Sequence, residues 1–173
     1  MRSLVYVLAG LSLLLSGAIF GFFYAWVCST MWGLDAADPV VAIEAMKAMN
    51  SSVRNMVFAP AFFGTSPLLL ITGLLAFFLG LRGPAAAFAL AAVVYLIGGQ
   101  VLTMTINVPM NEALAAIAIP ADADGARRVW QDYSQPWQYW NVVRTIASGV
   151  CLLLAGLGIA LLGREESRRR RFG

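Results

Sequence analysis

The chain has 173 residues, of which 60% are hydrophobic and 12% charged, and its mean hydropathy is +0.77. Soluble domains lie at about 45–50% apolar and about 25% charged, so the composition excludes an ordinary soluble globule and indicates a membrane protein. Histidine is absent, which removes the commonest haem, zinc and copper ligand and the commonest general base. The excess basic charge sits largely in Arg164 and in Arg168, Arg169, Arg170 and Arg171. A basic cluster beside an apolar segment is a topology determinant or a headgroup contact, and no nucleic-acid surface is implied.

No charge falls between Arg2 and Asp35, Arg54 and Arg82, Arg82 and Glu112, or Arg144 and Arg164. Each gap holds the roughly 20 apolar residues that one spanning helix needs. The prediction is an all-α transmembrane four-helix bundle forming a single membrane domain, with spans at about 4–27, 56–81, 85–108 and 137–162 and a basic tail at 164–173. The first apolar run is too long for a signal-peptide core and no A-x-A site follows it, so it is read as a retained helix. It carries Gly17-x-x-x-Gly21, a spacing that lets a second helix approach.

Asp38-Pro39 then reads as an N-cap followed by the first helical residue. Beyond it Ile43, Met46, Met49, Val53 and Val57 recur at helical spacing, with Glu44, Lys47, Ser51 and Arg54 on a separate stripe. This predicts a short amphipathic helix leading into the second span, which Pro60 and Pro67 bend or delay. Arg82-Gly83-Pro84 is read as a tight turn into the third span, which ends in Asn107-Val108-Pro109-Met110-Asn111-Glu112. Val129, Trp130 and Tyr133 predict a short interfacial helix before the fourth span. Cys28 and Cys151 lie at different depths, so they are read as packing residues and not as a disulfide.

An even number of crossings puts Arg2, Arg82, Arg164 and the terminal arginines on one side, seven cations against Lys47, Arg54, Arg127, Arg128 and Arg144 on the other. The excess of positive charge predicts cytoplasmic termini, in a bacterial inner membrane.

Polar groups at membrane depth are costly and mark functional sites. Asn107 and Asn111, four apart, share a helical face, and Pro109 leaves the Thr105 carbonyl without its donor. The alternative is an ordinary helix terminus. Trp137, Trp140, Asn141 and Arg144 follow at i, i+3, i+4 and i+7. Interfacial anchoring would also account for the tryptophans, but Arg144 lies deeper and wants a carboxylate, which Glu112 or Glu44 could supply. Glu44, Asn50 and Arg54 form the third group, with a solvated stripe as the alternative.

Three features in order, Glu44-to-Asn50 reading EAMKAMN, Asn107-x-Pro109-x-Asn111 and Trp140-x-x-x-Arg144, together resemble the anthrone oxygenase-like family of small four-helix membrane proteins. The resemblance runs from Gly17 to about Leu162. It implies oxidation of a lipophilic aromatic or quinone-type small molecule by O₂, as fungal members oxidise anthrones to anthraquinones, without an obvious metal or flavin. An anthrone is a carbon acid, so such a protein need only remove a proton and stabilise the resulting oxyanion. By this resemblance Glu112 or Glu44 is the base, Arg144, Asn107 and Asn111 hold the anion, and Trp140 stacks on the ring; Trp137 and Asn141, on the same stripe, are further substrate-binding candidates. The histidine base invoked for fungal members has no counterpart here. The competing expectation is a non-catalytic partner subunit or scaffold, in which the same polar residues satisfy one another around no cavity. A proton-coupled transporter is disfavoured because no acidic residue lies inside a span.

Overall fold

The computed structural model describes residues 2–172, with side chains through residue 168. Five helices account for nearly all of them: α1 (Arg2–Ala36), α2 (Pro39–Ser52), α3 (Phe58–Phe78), α4 (Arg82–Ala116) and α5 (Ala123–Phe172). α1, α3, α4 and α5 are each long and apolar enough to cross a bilayer. They form a four-helix bundle in which α1 packs on α3, α3 on α4, α4 on α5 and α5 on α1. The short helix α2 lies across the end of the bundle remote from both termini, against α5 and the ends of α1 and α4.

The caps follow the local chemistry. Asp38 Oδ1 accepts from the amides of Val40 and Val41 at 2.9 and 3.4 Å, as the Asp-Pro pair predicts. Asn55 does the same for the start of α3, accepting from Val57 and Phe58 at 2.8 and 3.0 Å. The turn between α3 and α4 falls earlier than Arg82-Gly83-Pro84. Gly80 adopts φ +74°, and its amide and that of Leu81 return to the carbonyls of Phe77 and Ala76 at 2.9 and 3.0 Å. That left-handed residue closes α3 as a Schellman motif, and Arg82 is already helical.

Two predicted boundaries are corrected. No separate interfacial helix stands before the fourth span, because Val129, Trp130 and Tyr133 belong to the first turns of the 50-residue helix α5. Pro136 sits exposed inside it without ending it. Likewise α4 continues past Val108 and Pro109 to Ala116, by widening its pitch. Leu96–Val101 and Thr103–Asn107 are π-helical turns, and the Val108 amide donates to the carbonyl of Thr103. The helix thus reaches Pro109 already off the i→i−4 ladder that proline would interrupt. α1 has a similar wide turn at Trp26–Thr30 and runs to Ala36. In the expected basic tail the backbone is helical through Phe172, while the side chains of 169–171 lie outside the described residues.

Two cores result. Along the membrane Val5, Ile19, Phe23, Leu69, Phe88, Tyr95 and Cys151 pack at the bundle centre. At the remote end Met31, Ile43, Met46, Leu114, Trp130 and Trp137 join α2 to the bundle. α4 and α5 approach closely at Gly98, where an added Cβ would meet the Ala147 Cβ at 2.5 Å. The Gly17/Gly21 pair is no such contact: Gly17 faces Leu152 at ordinary distance and Gly21 faces nothing within 4 Å. Cys28 is exposed and Cys151 buried, both free thiols.

Candidate functional site

The end of the bundle remote from the termini holds a half-open cavity of about 510 Å³. Seven aromatic side chains line it: Phe22, Phe23 and Trp26 from α1, Phe58, Phe62 and Phe63 from α3, and Trp137 from α5. The rings contact one another in series, with Phe22 to Phe58 at 4.8 Å, Phe58 to Phe62 at 5.4 Å and Trp26 to Trp137 at 5.2 Å between centroids. Apolar walls with few polar groups suit a small lipophilic molecule.

The strongest polar feature is Arg144, whose side chain lines this cavity although the residue is only 5% exposed. Its Nε donates to Asn141 Oδ1 at 2.8 Å, and Nη1 approaches Thr103 Oγ1 at 3.4 Å. Its guanidinium carbon lies 4.4 Å from the Phe23 ring centroid and 4.9 Å from that of Trp137. Asn141, itself buried, is fixed by donating Nδ2 to the Phe23 carbonyl at 3.2 Å. Among the described residues no carboxylate pairs with Arg144. The expected partners lie elsewhere. Glu112 reaches the cavity rim but meets Arg54 at 3.2 Å, both side chains more than half exposed. Glu44 is exposed on α2 and is not part of the lining. Both acids stand where water can solvate them, and Arg144 is left with neutral acceptors and π faces.

Asn111 also lines the cavity. Its Oδ1 accepts from Trp137 Nε1 at 2.9 Å and Tyr133 Oη at 2.8 Å, and Asn50 Nδ2 donates to the same Tyr133 oxygen at 3.3 Å. With its oxygen occupied by two donors, Asn111 has its Nδ2 left to offer. Asn107 does not share this position. It is completely buried, lies outside the lining, and neither its Nδ2 nor its Oδ1 meets a hydrogen-bond partner. Trp140 is half-buried against Tyr139, ring centroids 5.2 Å apart, also outside the lining. The structure therefore brings together Arg144, Asn141, Trp137 and Asn111, sets Glu112 at the rim, and leaves Asn107, Trp140 and Glu44 outside.

Sequence reasoning missed Thr103, Tyr133 and the phenylalanine walls. Tyr133 sits one turn before Trp137, and Thr103 one turn before Asn107, so extending each polar stripe by a turn would have found both. Asp35 was missed as well. Its carboxylate accepts from Trp130 Nε1, Ser134 Oγ and Gln138 Nε2 at 2.9, 2.7 and 2.8 Å, tying the end of α1 to α5. Across the cavity floor Gln100 Nε2 and Tyr95 Oη both donate to the Phe62 carbonyl, at 2.9 and 3.0 Å.

Four spanning helices with an aromatic-walled cavity at one end, into which a guanidinium without a carboxylate partner opens, define an integral membrane protein. Residues 55–154 match the anthrone oxygenase family model. That is more than half of the chain, which belongs to the anthrone oxygenase family. The matched stretch includes the Asn107–Asn111 and Trp140–Arg144 motifs, whereas Glu44–Asn50 precedes it. No match was found among curated proteins or among solved structures.

Proposed function

We propose that this protein is a membrane oxidoreductase that oxygenates a lipophilic, carbon-acidic aromatic molecule of the anthrone or quinone type. The observation that carries the reading is the buried Arg144 guanidinium, open to an aromatic cavity and unmatched by any carboxylate among the described residues. Such a cation favours whichever ligand form carries negative charge on oxygen.

The chemistry needs few parts. Glu112, at the rim, accepts the proton from the benzylic carbon. The electron pair delocalises to the keto oxygen, held by the Arg144 guanidinium and Asn111 Nδ2. The carbanion adds O₂ to form a carbon–oxygen bond and a peroxide. Loss of the second proton from that carbon, with cleavage of the O–O bond, leaves a quinone carbonyl and one water. Trp137, Phe23 and Trp26 pack the ring, and Asn141 positions Arg144. A scaffold whose polar residues only satisfy one another would have no need of a cavity of about 510 Å³, and that alternative is the weaker one.

The test is oxygen uptake by the purified protein in lipid vesicles charged with anthrone. One O₂ should be consumed per anthraquinone formed, above the spontaneous rate. A rate no greater than that of empty vesicles rejects the reading. The charge asymmetry supports cytoplasmic termini in a bacterial inner membrane, with the cavity toward the outer side. A C-terminal alkaline phosphatase fusion should then be inactive, and an active one reverses the orientation.

A further inference from the structure

The seams around the cavity are not equally closed. Between α1 and α3 the Phe22 and Phe58 rings meet at 4.8 Å. Between α1 and α5 Trp26 meets Trp137 at 5.2 Å, and Asn141 donates to the Phe23 carbonyl. α5 is joined to α4 by the Tyr133 and Trp137 hydrogen bonds to Asn111. At the rim the Arg54–Glu112 ion pair ties the segment after α2 to α4. α3 and α4 differ. They pack together as far as the turn Leu96–Val101, whereas Thr103–Asn107 packs on α5 instead. Beyond the bonds of Tyr95 and Gln100 to Phe62 and Ser66 on the floor, no hydrogen bond, ion pair or ring contact among the described residues joins Val57–Phe63 to Thr103–Ala116.

The residues on either side of this seam face two ways. Phe63 on α3 is 55% exposed and Met104 on α4 is 48% exposed, yet both line the cavity. They lie within the spanning helices, among exposed apolar side chains such as Leu70, Ile97 and Val101. The outer surface of the seam is therefore bathed in hydrocarbon. The adjoining turns of α4, Leu96–Val101 and Thr103–Asn107, are π-helical, a local irregularity of the kind often found at functional sites.

We propose that the cavity is entered sideways from the bilayer, through a portal between α3 and α4 flanked by Phe63 and Met104, and that its occupant is an aromatic molecule dissolved in the lipid. The proposal rests on reading the cavity as a substrate site and adds the phase from which substrate arrives. The rim with its Arg54–Glu112 ion pair is the solvated side of the cavity, whereas the portal admits what partitions into hydrocarbon. An ionisable oxygen on the ring then finds Arg144, the one charge buried along this path among the described residues.

The test needs no turnover. Thr103, which lines the cavity, is replaced by cysteine in a Cys28→Ser background, leaving Cys151 buried in the core. The protein in phosphatidylcholine vesicles is exposed to pyrene maleimide dissolved in the lipid, or to a membrane-impermeant sulfonated maleimide in the buffer. The expected result is faster labelling of the Thr103→Cys protein from the lipid, slowed about tenfold or more by Met104→Trp and by Phe63→Trp, since a narrowed portal limits the encounter rate. Phe77→Trp, exposed on α3 away from the cavity, should leave labelling unchanged. Two portal variants are used so that one folding failure does not decide the matter. Faster labelling from the buffer overturns the proposal. So does lipid-side labelling indifferent to both portal variants, or none at all, as a seam plugged by a resident acyl chain would give. Anthrone oxidation is measured separately, so an inactive protein with the expected labelling pattern rejects the oxygenase reading and leaves the portal standing.

Discussion

Replacing Arg144 by methionine, which keeps most of the side-chain volume and removes the charge, separates a binding role from a structural one. If the guanidinium holds a developing oxyanion, a unit charge about 4 Å away at an effective dielectric near 20 contributes about 4 kcal/mol. Removal of an oxyanion-stabilising donor ordinarily costs about 10²–10³ in rate. The effect on folding has opposing parts. The variant leaves Asn141 Oδ1 without its 2.8 Å donor, at about 1–3 kcal/mol. It also loses two ring contacts, at about 0.5–2 kcal/mol each. Against these stands relief from burying an unpaired cation, about several kcal/mol. The expected outcome is a rate lower by about 10²–10³ with thermal stability in detergent nearly unchanged. Oxygen uptake with anthrone and a melting curve on one preparation measure both. Turnover within about twofold of wild type would refute the oxyanion argument, and activity lost only in proportion to unfolding would make Arg144 a structural residue.

Other changes probe the remaining parts. Asn107 has both side-chain polar atoms buried and unpartnered, so Asn107→Leu should raise stability by about 1–2 kcal/mol, read as a higher melting temperature; a clear loss would show that the amide is satisfied. Glu112→Gln removes the proposed base while retaining an acceptor at the rim, and should lower anthrone turnover by about 10²–10⁴. Glu44→Gln, outside the cavity, should leave that turnover as it is, and the reverse pattern would move the base to α2. Gly98→Ala brings a Cβ against Ala147 and should destabilise the α4–α5 contact by about 1–3 kcal/mol, seen as a lower midpoint of unfolding in mixed detergent.

The spans were legible because uncharged stretches must be buried in hydrocarbon, and Asp38-Pro39 announced its helix by cap chemistry alone. The stripe Trp137, Asn141 and Arg144 was legible for the same kind of reason: helical spacing fixes which residues share a face. It does not say which helix that face meets. Hence Glu112, a plausible partner for Arg144 in one dimension, turns to Arg54 instead. Trp140 follows the same pattern as Trp137, yet sits against Tyr139 outside the cavity. The π-helical turns of α4 were invisible too. Asn107 and Asn111 were assigned one environment, and the structure gives them two, one wholly buried and one at the cavity. The phenylalanine walls carried no signal, since a Phe facing a ligand and one facing lipid read alike.

Arg144 is the residue on which the cavity's purpose turns, and its environment is best understood by what it lacks. A cation moved out of water incurs a cost of about several kcal/mol even after relaxation. A structural arginine in a membrane bundle recovers it by meeting a carboxylate or a ring of carbonyls. Here the recovery comes from one side-chain amide, one long contact to a threonine and two aromatic faces, together worth about 2–7 kcal/mol on the usual scales. Among the described residues no negative charge faces the guanidinium. An anionic oxygen arriving in the cavity would supply one, whereas a neutral molecule would not. On the proposed function, that unmatched charge gives the site a preference for the ionised form of a carbon acid, and so a way to favour deprotonation without a histidine.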